Sequence, residues 1–333
     1  MNAYHFLICD TLTTVRFEDE YQGARLKKLW QKCFSLICLS SAAIHPSIVI
    51  HLTSDEARQK TTDTKESPRQ SLGVQVCETQ QGFSVELGAS KIDLHVATNL
   101  GTGTIDDLFW DRPFREQREF FLIVLLVLLR NYGLYGLHAN AVVRDGVGVL
   151  IVGPSGAGKT TLTLSLMRDG WHYLSDDALM LRNSTRYVEA LALRRGFSLT
   201  RKTVAFFPEI LSPHTEDEYL SDGKLALEIE SVFPGKHIAA CVPRAIVFPQ
   251  VTNVERSRLE PLDEMTALVN LIEQSPGIAT CRSSTAENLG LLKALVYQAT
   301  SHRLLIGADV LRDENCVSQM IYQCLASSSE LLK

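Results

Sequence analysis

Apolar and polar positions follow one period in the first third of the chain and another after it. Successive side chains on a strand point to opposite faces. That alternation runs through residues 73–78, through Phe83-Ser84-Val85-Glu86-Leu87 and through Ile92-Asp93-Leu94-His95-Val96, with Gly and Asn at the breaks. It predicts a small mixed or antiparallel sheet. Just upstream, Thr53 to Ser71 is dense in Asp, Glu, Lys, Arg, Thr and Gln, includes Pro68 and has almost no apolar side chains. Such a stretch cannot bury enough surface to order itself and reads as a mobile loop. From Pro113 the period lengthens, and Glu116 to Tyr132 reads as one long helix closed by Gly133 and Gly136. Two strand-like runs follow, Leu137 to Val143 and Val147 to Val152, joined by Arg144-Asp145-Gly146, where Asp-Gly signals a hairpin. The second run enters a Gly-rich segment, then a helix from Thr161 to Asp169 stopped by Gly170. Farther on, Met265, Leu268, Val269 and Ile272 recur at helical spacing and are expected in the core. Thr285 to Thr300 and Asp309 to Leu331 also predict helices, the latter packing against a neighbouring subunit, which leaves a homo-oligomer open. The change of character divides the chain into a domain over residues 1–108 and a second over 109–333, with no internal repeat.

Composition narrows the class. The chain has 333 residues, 45% hydrophobic and 21% charged, as expected of a globular protein able to bury a sizeable core. Its net charge of −5 argues against a non-specific nucleic-acid binder. Eight scattered cysteines, with no Cys-x-x-Cys pair, read as buried thiols in a reducing compartment rather than a disulfide frame or a zinc site. The N-terminal apolar run stops at Asp10 without a basic segment before it, a poor signal peptide. Phe120 to Leu129 is about half the length of roughly 20 residues that a bilayer span needs. Phe34 to Leu52 is interrupted by Ser35, Ser40, Ser41, His45, Pro46 and Ser47. The expectation is a cytoplasmic protein with neither membrane nor nucleic acid as partner.

The candidate chemistry lies in the Gly-rich segment Gly153-Pro154-Ser155-Gly156-Ala157-Gly158-Lys159-Thr160, which satisfies Gly-x-x-x-x-Gly-Lys-[Ser/Thr] in full. Glycines let the backbone curl until successive N–H groups point at phosphate oxygens, and the helix that follows adds its positive end. Residues Gly153 through Thr161 are therefore the expected contacts of ATP, with Lys159 reaching the β and γ phosphates and the Thr160 hydroxyl on Mg²⁺. The loop alone suits a transporter ATPase, a guanylate kinase or a sulfate-activating kinase equally well. The sequence contains neither the Leu-Ser-Gly-Gly-Gln of the transporters nor the Asn-Lys-x-Asp of the GTPases. One short strand after the loop's helix come two adjacent carboxylates, Asp176 and Asp177. On a regular strand they would face apart, so they can share a site only if the chain bends there. With such a bend, one can hold Mg²⁺ while the other takes a proton from an attacking hydroxyl.

The order of these parts resembles the HPr kinase/phosphorylase family. The residues that carry it are His138-Ala139-Asn140-Ala141-Val142-Val143, the Asp145-Gly146 turn, the phosphate loop and Gly170-Trp171-His172-Tyr173-Leu174-Ser175-Asp176-Asp177. The resemblance is close over residues 133–182. It implies an α/β architecture: a small mixed or antiparallel-sheet N-terminal domain joined to an HPr-kinase-like P-loop kinase domain. It makes Asp176 the metal-side carboxylate alongside Thr160, Asp177 the general base, and His138 an active-site histidine near the transferred phosphate. The wording of the loop, and Pro243-Arg244-Ala245-Ile246-Val247-Phe248-Pro249, look more like relatives that phosphorylate the C-terminal serine of lasso-peptide precursors. The family's Glu-x-Arg-Gly stretch is poorly matched by Glu189 to Ser198, which leaves HPr as acceptor, and phosphorolysis, without support. Arg194 and Arg195 each read either as charge for the transferring group or as surface charge. The implied activity is phosphoryl transfer from ATP to a serine hydroxyl on a peptide or protein. The rivals are a small-molecule kinase acting on free serine or another hydroxyl-bearing molecule, or of the nucleotide or sulfate-activating type, and a non-catalytic nucleotide-binding module. Residues 1–108 carry no chemical motif and are expected either to hold or select the acceptor or to serve as a scaffold that covers the helix from Glu116 to Tyr132. Glu216-Asp217-Glu218 reads as a solvated loop.

Overall fold

The computed structural model of the chain describes residues 2–40, 46–54, 69–211, 223–276, 285–311 and 316–329. Most of the polar stretch from Thr53 to Ser71, and Glu216 to Glu218, lie outside the described residues. The chain divides into two compact units, Met1–Leu134 and Tyr135–Lys333.

The first unit contains β1 (Asn2–Ile8), β2 (Thr11–Phe17), α1 (Glu20–Cys33), β3 (Ile37–Leu39), β4 (Ile48–Ser54), β5 (Arg69–Ser71), β6 (Val74–Glu78), β7 (Gly82–Leu87), β8 (Ser90–His95), β9 (Leu100–Ile105) and α2 (Phe114–Leu129). Its sheet is larger than alternation alone indicates, with nine strands in the order β3-β1-β2-β4-β9-β8-β7-β6-β5. It is mixed, because β4 runs parallel to both β2 and β9 while the other pairs are antiparallel. Alternation buries Ile48, Ile50 and Leu52 on β4 and Ile92 and Leu94 on β8. Asp19 caps α1 by accepting from the Gln22 N–H at 2.7 Å, and the helix buries Leu26, Leu29 and Trp30. Trp30 meets Phe6, Phe34 and Phe121, and Phe109 meets Phe120 and Phe121. These ring contacts explain why the unit ends at Leu134 and not at residue 108. Helix α2 spends its aromatic residues on the first unit's core, so a cut at 108/109 would expose them at about 1.5–3 kcal/mol each.

The second unit contains β10 (Tyr135–Leu137), β11 (Ala139–Arg144), β12 (Val147–Val152), α3 (Lys159–Arg168), β13 (His172–Ser175), β14 (Leu179–Asn183), β15 (Val188–Ala192), β16 (Phe197–Thr200), α4 (Arg201–Ala205), α5 (Pro208–Leu211), β17 (Lys224–Leu227), β18 (Ala240–Cys241), β19 (Pro243–Val251), β20 (Arg258–Pro261), α6 (Glu264–Glu273), α7 (Thr285–Gln298), β21 (Thr300–Ile306) and α8 (Cys316–Ser329). Six strands form a sheet in the order β13-β11-β12-β19-β21-β20, with β12, β19 and β21 mutually parallel. A four-stranded sheet, β10-β14-β15-β18, and the pair β16-β17 complete the unit. The predicted hairpin joins β11 to β12, with Asp145 and Gly146 both at positive φ.

Three sequence expectations are corrected here. On α6 the buried positions are Ala267 and Leu271, while Met265 is 69% and Val269 46% exposed. Leu268 and Ile272 are only partly buried against that core. The face bearing small Ala267 turns inward and the bulkier Met265–Val269 stripe outward. The C-terminal helix α8 turns its apolar face into its own chain: Val317 and Ile321 join the core beneath the six-stranded sheet, and Ser318 accepts from the Trp171 indole N–H at 2.8 Å. Of the cysteines, Cys38 is exposed, not buried. Among the described residues, no helix is long and apolar enough to cross a membrane.

Candidate functional site

Strand β12 is buried throughout Gly148 to Val152 and delivers the chain to Gly153, where the loop starts. Pro154, Ser155 and Gly156 form its exposed crown, and Lys159 opens α3. Gly156 and Gly158 have φ of +86° and +96°, a region that residues with a Cβ enter only with strain. The Lys159 side chain is nearly buried and folds back on the loop. Its ammonium donates to the carbonyls of Gly153 at 2.8 Å and Pro154 at 3.3 Å and to His138 Nε2 at 3.0 Å. Asp177 Oδ1 lies 3.4 Å away. Thr161 turns elsewhere, its hydroxyl 3.4 Å from that of Thr203 on α4.

The two aspartates share the site because the chain bends between them. β13 pairs with β11 through a shifted register at Ala141/Val142, and the strand ends at Ser175. The Ala178 N–H then bonds back to the Asp176 carbonyl at 2.9 Å, a three-residue turn with Asp177 at φ +61° in its centre. Asp176 is fully buried. Its Oδ1 accepts from Asn140 Nδ2 at 2.9 Å and the Thr160 hydroxyl at 3.0 Å, and its Oδ2 from the Ser198 N–H at 3.1 Å. Burial, then the charge of Asp177, push the Asp176 carboxyl above the ordinary range. Asp177 is partly open to solvent. Burial alone would raise its pKa, but Arg194 and then Lys159 outweigh it and hold the carboxyl below the ordinary range. Asp177 therefore stays ionised beside a cation.

His138 sits at the junction of β10 and β11. Its backbone N–H bonds to the Gln274 carbonyl at 2.8 Å. Because Lys159 donates to Nε2, the ring proton belongs on Nδ1, which then donates to the Asp177 carbonyl at 2.8 Å. Burial, then the Lys159 charge, lower the ring's pKa, in keeping with a neutral imidazole.

The structure thus brings His138, Lys159, Thr160, Asp176 and Asp177 together at the base of the loop, while Thr161 faces α4. It also brings in residues that the sequence left unassigned. Asn140, fully buried on β11, holds Asp176 through Nδ2 and accepts the Asp177 N–H at 2.9 Å. Arg194, 4% exposed, is not surface charge: its guanidinium is 3.7 Å from Asp177 Oδ2 and 3.3 Å from the Ser198 hydroxyl, and its buried Nε has no hydrogen-bond partner among the described residues. The Thr160 and Asp176 oxygens lie 3.0 Å apart. That equals the cis edge of an octahedron with metal–oxygen bonds of about 2.1 Å, which is about 3.0 Å, so these two hard donors fit Mg²⁺.

Strand, phosphate-type loop and helix beside two carboxylates define a P-loop α/β unit. No known family model matches the chain. Over 61 residues, 18% of this chain and 20% of the relative, it is 34% identical to the HPr kinase/phosphorylase of Malacoplasma penetrans (strain HF-2). The likeness is HPr-kinase-like, and the chain spans about a fifth of the length of that relative. A solved structure of the Hpr(Ser) kinase/phosphatase from Coxiella burnetii aligns with a TM-score of 0.29 and 14% identity, over 56% of this chain and 97% of that one.

Proposed function

We propose that the chain is an ATP-dependent kinase that transfers the γ-phosphoryl group to a serine hydroxyl of a peptide or protein. The observation that supports this most is the meeting of Lys159, Thr160, His138 and the bent Asp176–Asp177 pair at one loop. Backbone N–H groups of Gly153 to Thr160 and the start of α3 would cradle the phosphates. Lys159, now satisfied by the loop's own carbonyls, would exchange them for β and γ phosphate oxygens. Thr160 and Asp176 would hold Mg²⁺, which when bound neutralises charge on those oxygens. Asp177, ionised and partly open, would accept the proton of the attacking hydroxyl. Neutral His138 would lie beside the transferring group, with its Nε2 available once Lys159 moves. Arg194 would hold Asp177 in its charged form.

The finer reading of the acceptor is an extended peptide ending in serine, of the lasso-precursor kind. The first unit would help to select it, because a hydroxyl alone offers little to recognise. Among the described residues β3 is an edge strand of the first unit's sheet, with Ile37 60% exposed, and such a peptide would pair with its backbone.

The test is incubation with γ-labelled ATP, Mg²⁺ and serine-terminated peptides, followed by mapping of the labelled residue. Phosphoserine in the peptide, absent with Lys159→Ala, supports the reading. Label on free serine or a nucleotide instead of the peptide would reassign the acceptor class. Binding of ATP without transfer to any acceptor would refute the kinase.

A further inference from the structure

Away from the phosphate loop, the second unit contains an open concavity of about 560 Å³ bounded by the turn between β14 and β15, the start of β19 and the end of α7. Its walls include Ser184, Arg186, Tyr187, Arg244, Tyr297 and Gln298, and among the described residues no carboxylate lines it. We propose that this cavity is a second ligand site, for a small planar organic anion: a ring bearing a phosphate or a carboxylate.

The walls are tied together from three distant parts of the chain. The Gln298 side chain accepts from the Val188 N–H at 2.7 Å and donates to the carbonyls of Val188 and Pro243, each at 2.9 Å. One amide from α7 thus fixes the hairpin against β19, so the cavity exists before any ligand arrives. The turn is closed by the Ser184 N–H to the Tyr187 carbonyl at 2.8 Å, and the Tyr187 N–H returns to the Ser184 hydroxyl at 3.3 Å.

The charge inside is unbalanced. Arg244 lies over the Tyr187 ring at 5.0 Å, and a guanidinium so placed can meet two oxygens side by side with its edge. Arg186 is exposed at the same rim. Glu189, the carboxylate nearest on the hairpin, is already engaged by Arg182 at 2.9 Å. Lys293, outside the lining, lies over the Tyr297 ring at 5.8 Å. In a chain of net charge −5, two arginines in one concavity without a lining carboxylate mark a local focus for an anion. Tyr187 and Tyr297, 41% and 64% exposed, supply flat apolar faces for a ring.

This site is separate from the phosphate loop. Pro243 and Ala245, which flank Arg244, pair with Gly148 and Val149 at the far end of β12. Gly153 lies about 15 Å further along at roughly 3.3 Å per residue. A small ligand cannot bridge the two.

Phenyl phosphate, benzoate and inorganic phosphate are titrated into the full chain, with binding followed by calorimetry and ligand-observed NMR. Lys159→Ala serves as the background that weakens phosphate capture at the loop. The expected result is saturable binding of phenyl phosphate or benzoate in both the unaltered chain and Lys159→Ala, tighter than that of inorganic phosphate. Arg244→Met, which keeps the aliphatic stem, should weaken it about tenfold or more through loss of a charge-assisted contact. Arg186→Gln, at an exposed position where folding is not at stake, should weaken it in the same direction. Preference for phenyl phosphate assigns a phosphorylated ligand, and preference for benzoate a carboxylate. No saturable binding at millimolar concentration overturns the proposal. So does binding that vanishes with Lys159→Ala, or binding unchanged in both arginine variants.

Discussion

Replacing Asn140 by Ala removes three hydrogen bonds in one step, and their costs differ. The Thr163 hydroxyl loses the Asn140 amide at 3.0 Å but keeps its own donation to the Lys159 carbonyl at 2.9 Å, so little is lost there. Asp176 loses a charge-assisted bond at 2.9 Å and keeps Thr160 and Ser198. The Asp177 N–H loses the acceptor that meets it at 2.9 Å. An unpaired buried donor costs about 1–3 kcal/mol, and a hydrogen bond to a charged group is worth about 1.5–3 kcal/mol. Together they predict a destabilisation of about 3–5 kcal/mol, a large share of the roughly 5–15 kcal/mol that holds a domain folded. Urea unfolding of the full chain measures it, with hydrogen exchange of peptides from each unit assigning the transition that moves. The second unit should lose stability while peptides from β1 to β9 keep their protection. A loss under about 1 kcal/mol would refute the view that Asn140 organises the pair.

The two aspartates should fail differently: Asp177→Asn should leave MgATP binding nearly intact and lower turnover by about 10²–10⁴-fold, whereas Asp176→Asn should raise the Mg²⁺ concentration needed for half-maximal activity. Equal losses with ordinary Mg²⁺ dependence would contradict that division. Ile37→Lys with Leu39→Lys places charge on the open edge of the first unit's sheet, and should raise KM for a peptide acceptor without moving KM for ATP; steady-state kinetics that show both unchanged would remove β3 from acceptor binding. Burial pushes the Cys241 thiol up to about 12, so at pH 8 only about one molecule in 10⁴ carries a thiolate there. Iodoacetamide followed by peptide mapping should therefore label exposed Cys38 well before Cys241, and comparable rates would show that Cys241 is not enclosed.

The strand–loop–helix around Gly153 to Thr160, the hairpin at Asp145-Gly146 and the alternating strands β6 to β8 were legible because each depends on local chemistry: turn residues, period and caps. The bend that lets Asp176 and Asp177 share a site could be required from sequence but not located. Its cause is tertiary, in the shifted pairing of β13 on β11 and the Asn140 amide that catches the Asp177 N–H. Asn140 itself was hidden in an apolar run, where one polar residue reads as noise until its partners are known. Arg194 was ambiguous for a similar reason, since nothing local says whether a guanidinium faces water or a buried carboxylate. Helix α6 shows the limit of periodicity: Met265/Val269 and Ala267/Leu271 both recur at four-residue spacing. The face that packs against α7 is the one bearing Ala267 and Leu271, and no hydrophobic period alone picks it from the other.

The left-handed backbone at Asp177 also makes that position a conformational filter. Asp, Asn and Gly enter φ near +61° readily, whereas other L-residues incur about 1–2 kcal/mol of steric cost. A chain that sheds the charge here while keeping its shape can do so through Asn or Gly. Alanine, the habitual choice in a mutational scan, would instead disturb the turn that aims the neighbouring Asp176. The same geometry sets what drift can do: under the proposed function, Asp-to-Asn exchange would silence the carboxylate without straining the turn, so a descendant of this chain could become a nucleotide sensor without rebuilding its scaffold.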